Sequence, residues 1–174
     1  NIVVSFVSAL VPLLVAIADA DYLRHLYGEA LQYTPIVGQL YVWISGFALF
    51  AFLITLTREI VKDMQDIEGD REMECRTMPI VWGEKTAYVV VTVILLVTMA
   101  LVGYLAFAVL PFPCDWKTLS TRYVIFGLMV PILCAIILLW SAKSPLEYRR
   151  TQLVIKFVMF MGVLYSFVIQ QNII

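Results

Sequence analysis

YTPIVGQLYVWISGFALFAFLITLT, from Tyr33 to Thr57, carries no charged side chain and is followed at once by REIVKDMQDIEGDREMECRTMPIVWGEK, from Arg58 to Lys85. The first string is long enough to cross a hydrocarbon core of about 30 Å as a helix, which takes roughly 20 apolar residues. Further charge-free runs extend from Asn1 to Ala18, Thr86 to Leu110, Tyr123 to Ala142 and Phe157 to Ile174. The last becomes a full span if its helix starts near Thr151 and the Lys156 ammonium snorkels towards water.

Lipid cannot hydrogen-bond a bare backbone, and the runs lack the alternating pattern of a membrane barrel, so helices are the expected form. The expectation is an all-α, polytopic membrane helical bundle with five spans near 1–18, 36–60, 86–110, 122–142 and 152–172, forming one membrane domain. Composition agrees: with 62% hydrophobic and 14% charged residues, 174 residues could not hide their apolar surface in one soluble core. Pro12 and Pro131 fall inside two spans, where a lost ladder bond is a local irregularity that a bundle absorbs. Trp43, Trp82, Trp116 and Trp140 sit near span ends, as membrane anchors do.

Several function classes drop out on the same residues. The net charge of −1 and the absence of a basic tract argue against a nucleic-acid partner. Cys75, Cys114 and Cys134 are far apart and read as ordinary thiols, and His25, the sole histidine, reads as a polar loop residue. A histidine triad is thereby excluded within this chain. The chain opens on Asn1 without the basic region of a signal peptide, which suggests a start partway through a larger protein.

Lys and Arg gather in two connections, Arg58 to Lys85 and Lys143 to Lys156, leaving only Arg24, Lys117 and Arg122 elsewhere. The positive-inside bias puts both basic connections, and the N-terminus, on the cytoplasmic side. The first of them also holds eight of the thirteen acidic residues. If the second helix continues past Thr57, Glu59, Asp63, Asp66 and Asp70 follow at offsets of 4, 7 and 11 and share one narrow stripe, with Glu68 opposite and Lys62 beside it. Crowded carboxylates repel and call for a counter-charge; hard oxygen donors suit Mg²⁺, which completes its coordination with water and substrate phosphate. Lys62, Arg71 and Arg76 are placed to meet phosphate oxygens. A solvated loop whose acids and bases neutralise each other would carry the same residues. The EF-hand spacing is not met, and no phosphate-binding GxxxxGK[ST] loop occurs.

QDIEGDR, Gln65 to Arg71, followed by TMPIVWG from Thr77 to Gly83, resembles the second aspartate-rich motif of the UbiA-type membrane prenyltransferases. The longer string from Lys62 to Gly83 looks most like the branch that contains digeranylgeranylglyceryl phosphate synthase. The resemblance implies a nine-helix fold, of which these five spans are the C-terminal five, and an NDxxD motif in the other half. No such motif stands here; DADYL, Asp19 to Leu23, lacks the preceding Asn and falls on the predicted outer side.

By the same resemblance, Mg²⁺ bridges Asp66 and Asp70 to the diphosphate of a prenyl donor. Those two are the expected catalytic residues, Asp63 is a third expected metal ligand, and Lys62, Arg71 and Arg76 are expected diphosphate contacts. The prenyl group passes to a hydrophobic acceptor, lipid or aromatic, within the membrane, and its tail would lie against Phe47, Phe50 and Phe52. Readings of another class remain: a cation-binding transporter or channel fragment with an acidic rim, or a non-catalytic membrane subunit.

Overall fold

The computed structural model describes residues 1–28, 36–109 and 118–173, and every element in them is helical. In chain order these are α1 (Ile2–Tyr27), α2 (Ile36–Gln65), α3 (Ile67–Glu72), α4 (Met78–Trp82), α5 (Glu84–Tyr104), α6 (Leu119–Tyr123), α7 (Val130–Ser141) and α8 (Pro145–Ile173). Wider π-helical turns prolong α5 over Leu105–Val109 and join α6 to α7 over Val124–Met129. Five stretches are long and apolar enough to cross a membrane: Ile2–Tyr27, Tyr41–Gln65, Glu84–Phe107, Leu119–Ser141 and Pro145–Val168. Pro131 follows the π-helical turns directly, inside the continuous helical run Leu119–Ser141. Pro12 lies inside α1.

The helices overrun the charge-free strings, and two expectations change in consequence. His25 is in the last turn of α1, beside Arg24, rather than in a loop. Cations near a helix C-terminus meet its negative dipole end, so these residues prolong the helix. The Lys143–Lys156 connection shrinks to Ala142–Ser144, and Arg149, Arg150 and Lys156 ride on α8. Its start is set by SPLE, Ser144 to Glu147. The Glu147 carboxylate accepts the Ser144 N–H at 3.2 Å and the Lys143 N–H at 2.5 Å, with Pro145 as the first helical residue. This is a Glu-sided capping box with its proline in the favoured place.

Helix α2 is the hub, with α1, α4, α5 and α8 packed around it, while α7 packs on α8. Each helix offers a stripe at helical spacing. Ala87, Val91, Leu95, Thr98 and Val102 of α5 are buried, as are Ile132, Ala135 and Leu139 of α7 and Thr151, Ile155 and Val158 of α8. The opposite faces are apolar too: Val93, Ile137, Phe160 and Val163 are exposed, as lipid-facing positions should be. Two buried span hydroxyls donate to their own helix, Thr57 to the Leu53 carbonyl at 2.9 Å and Thr98 to that of Ile94 at 2.8 Å.

Because lipid is as apolar as leucine, helices in it associate through close approach rather than through water exclusion. The α1 residues that are buried are all small: Ser5, Ala9, Ala16 and Ala20, in two pairs spaced by four. They let α1 lie close along α2. Tyr88 donates its hydroxyl to the Ala142 carbonyl at 2.8 Å and is hydrogen-bonded to the Tyr148 hydroxyl, while Trp140 donates its indole N–H to Thr92 at 2.9 Å. Gln152 of α8 donates to Gln65 of α2 at 2.9 Å. These ties bring the charged Arg58–Lys85 segment and the α7–α8 junction to one end of the bundle. At the other end Tyr165 stacks on Tyr123 and shares a hydrogen bond with Ser120 at 2.8 Å.

Two substitutions test this packing. Ala16→Leu forces bulk into the α1–α2 seam and should lower stability by about 1–3 kcal/mol, whereas exposed Val15→Leu should stay within about 0.5 kcal/mol, both read by thermal unfolding in detergent. Gln152→Leu leaves the half-buried Gln65 amide unpaired and should cost about 1–3 kcal/mol, part of which the double variant Gln65→Leu/Gln152→Leu recovers.

Candidate functional site

The expected four-acid stripe is only partly kept, because the helix that was to carry it is interrupted. Helix α2 does run on past Thr57 through Glu59 and Asp63, then ends at Gln65; the backbone bends at Asp66, and Asp70 sits on α3. Asp66 has φ −98° and ψ 13°, so the bend is shallow: its N–H still donates to the Lys62 carbonyl at 3.0 Å, and its carbonyl accepts the Asp70 N–H at 2.9 Å. Asp63 feels the charges of both Glu59 and Asp70, which brings these three carboxylates into one electrostatic cluster. Asp63 and Asp70 are half-buried, and Asp66 is exposed at the bend.

After α3 the Cys75 N–H returns to the Asp70 carbonyl at 2.8 Å, closing the turn over the aspartate. Glu74 takes the left-handed conformation there, with φ 54°, which is unusual for a residue other than glycine, asparagine or aspartate. The chain then passes through Thr77 into α4, whose Pro79 is buried, and leaves through Gly83 at φ 85° to start α5. The TMPIVWG string is thus a short helix wedged beside α2 and α3.

The bases divide into two groups. Arg58 is consumed by its neighbour Glu59 in an ion pair. Lys62, Arg71 and Arg76 are exposed, and among the described residues none of them makes an ion pair with an acid within 4.0 Å. Asp63, Asp66 and Asp70 make no ion pair within 4.0 Å with a side-chain base among the described residues. Asp63 is instead met by a neutral donor, the Asn1 side-chain amide of α1, at 2.5 Å. Nothing in the local sequence pattern marks Asn1, because the partner is 62 residues away and only the α1–α2 seam brings it there.

Among the described residues no three Asp, Glu, His or Cys side chains converge tightly enough to hold a metal as a closed protein cage. The donor set nevertheless fits Mg²⁺ of the substrate-borne kind: hard carboxylate oxygens, uncompensated, few in number, with the remaining positions left to water and phosphate. Asp63, Asp66 and Asp70 are the side chains that could take part.

About nine residues, or roughly 14 Å of helix rise, separate Asp63 from Ile54, which lines a groove of about 360 Å³ between α1, α2 and α8. Pro12, Phe47, Phe50, Met159 and Gly162 complete most of its wall. Phe47 and Phe50 also border a smaller cavity of about 60 Å³ against Leu105, Leu128 and Tyr165. Phe52, expected to join them, lines neither. Gly162 is required by this geometry, since a Cβ there would stand 2.3 Å from the Phe50 ring. Trp43 borders the smaller cavity rather than simply anchoring a span end, while Trp82 and Trp140 are exposed. Cys75 and Cys134 are free thiols, and Trp116 and Cys114 lie outside the described residues. Asp19 and Asp21 are near the far end of α1, away from the acidic cluster.

Comparison with known proteins finds relatives of this chain. Digeranylgeranylglyceryl phosphate synthase of Methanosphaera stadtmanae is 33% identical over 131 residues, covering 72% of this chain and 42% of the relative. The synthase of the same name from Methanopyrus kandleri is 29% identical over 162 residues, covering 82% of this chain and 56% of the relative. That of Pyrococcus furiosus is 36% identical over 93 residues, 42% of this chain and 34% of the relative. The chain thus spans about half or less of the length of these relatives. No solved structure matches it. The UbiA prenyltransferase family pattern matches residues 1–164, nearly the whole of the acidic segment, its flanking helices and the groove, and the chain belongs to that family.

Proposed function

We propose that this chain supplies the second aspartate-rich half of a Mg²⁺-dependent site that transfers a prenyl group from a prenyl diphosphate to a hydrophobic acceptor within the membrane. The observation that carries the reading is the cluster of Asp63 and Asp70, with Asp66 at the bend between them, without a side-chain ion pair among the described residues, at the end of α2 that leads into an apolar groove. When bound, Mg²⁺ supplies electrostatic stabilisation of the departing diphosphate. The aspartates hold and orient that charge complex at the membrane surface. Lys62, Arg71 and Arg76, exposed and uncommitted, reach the outer phosphate oxygens. Phe47 and Phe50 line the path of the prenyl tail, and the apolar wall excludes water, which would capture an allylic cation. The relatives' name points to a glyceryl phosphate ether lipid as acceptor and to a long prenyl group as donor.

An ion pathway is the weaker reading, because conduction needs polar groups along the span and the groove wall here is almost wholly apolar. The acidic end faces the cytoplasm by the positive-inside bias, since Lys62, Arg71, Arg76, Lys85, Lys143, Arg149 and Arg150 all belong to it.

Titration calorimetry on the full-length protein, with Mg²⁺ and a prenyl diphosphate, tests the site. Asp66→Ala and Asp70→Ala should each abolish Mg²⁺-dependent donor binding and lower kcat by about 100-fold or more, the scale of losing a charge-stabilising group. EDTA should do the same to the unmodified protein, reversibly on adding Mg²⁺. Cation binding that is indifferent to the donor would sink the reading. Orientation has its own test: in a Cys114→Ser background, a membrane-impermeant maleimide should label exposed Cys75 only after the cytoplasmic face is opened.

A further inference from the structure

The acidic cluster poses a problem that its own sequence segment does not solve. Asp63 stands among the like charges of Glu59 and Asp70. The one hydrogen bond that reaches its side chain among the described residues comes from another helix: Asn1 Nδ2 donates to Asp63 Oδ2 at 2.5 Å. With a carboxylate as partner, the amide must present its NH₂ side, so the direction of this bond follows from chemistry.

Asn1 is itself fixed. Its carbonyl accepts the Ser5 N–H at 3.1 Å and the Ser5 hydroxyl at 2.9 Å, and Ser5 is fully buried in the α1–α2 seam. This side chain makes no hydrogen bond to the first turn of α1. It is turned across to α2 instead. The side-chain amide itself is uncharged, so it orients the carboxylate without forming an ion pair with it. Oδ1 accepts no hydrogen bond among the described residues and remains free for a ligand.

From this geometry we infer that Asn1 is a positioning residue for the metal–diphosphate site, holding the Asp63 carboxylate so that its second oxygen faces the incoming divalent ion. The inference rests on the metal-dependent reading of the acidic cluster and extends it to α1. Groups that orient a ligating carboxylate typically contribute 10- to 100-fold to metal affinity.

The test uses the full-length protein and Mn²⁺ as a probe, with free ion counted by electron paramagnetic resonance in the absence of substrate. Asn1→Leu, which removes the donor, should weaken Mn²⁺ binding about tenfold, and Asn1→Asp, which keeps the size but adds a like charge, should weaken it more. Both should raise the Mg²⁺ concentration for half-maximal turnover while leaving the donor KM at saturating Mg²⁺ unchanged. In an Asp63→Asn background, Asn1→Leu should have no further effect on Mn²⁺. Metal-free melting in EDTA separates positioning from helix fastening: a lowered Tm with unchanged Mn²⁺ affinity would overturn the inference. So would full Mn²⁺ affinity in Asn1→Leu alongside a clear loss in Asp70→Asn. If Asp63→Asn and Asp70→Asn both bind Mn²⁺ like the unmodified protein, the metal reading itself falls, and this inference with it.

Discussion

A peptide group in hydrocarbon must find its hydrogen-bond partner within the protein, and that constraint governs everything else in this chain. It forces helices wherever the sequence is apolar, and it makes the chain's few polar side chains conspicuous. The Thr57 and Thr98 hydroxyls bond back to their own helices, while Tyr88, Ser120 and Tyr165 make interhelical hydrogen bonds near the bundle ends. With no water to exclude between them, the helices meet through fit. Small residues on α1 and periodic stripes on α5, α7 and α8 converge on α2, which carries the acids at its end.

Much of this was legible in the sequence, because membrane helices declare themselves by uninterrupted apolar length. The five spans, the continuation of α2 beyond Thr57 and the shared face of Glu59, Asp63 and Asp70 all follow from charge-free strings and a 3.6-residue period. The ends were less legible. Charge content alone stops α1 at Ala18 and starts α8 near Thr151, whereas the helices reach Tyr27 and back to Pro145. In the second case the signal was present, since SPLE pairs a helix-starting proline with a Glu that reaches back to the preceding N–H groups. The break at Asp66 had a weaker sign, Gly69 in the following turn, which pointed to the right neighbourhood and the wrong residue.

What the sequence could not reveal is contact between distant segments. Asn1 beside Asp63 and Gln65 beside Gln152 are pairs separated by 62 and 87 residues, and no local pattern predicts them. Nor does it distinguish the phenylalanines: Phe47 and Phe50 border the groove and Phe52 does not, although all three are equally apolar. The acid cluster gains meaning from the same long-range placement. Within it Glu59 is paired with Arg58, whereas Asp63, Asp66 and Asp70 make no side-chain ion pair among the described residues.

The groove has a further consequence through the helices that frame it. Helices α1 and α8 pack on α2 from two sides, and the space between them opens on the flank of these helices. On the proposed function, a tail of isoprene units would enter this groove sideways from the bilayer without passing through water, and encounter would become a search in two dimensions, paced by how densely such a lipid populates the membrane plane.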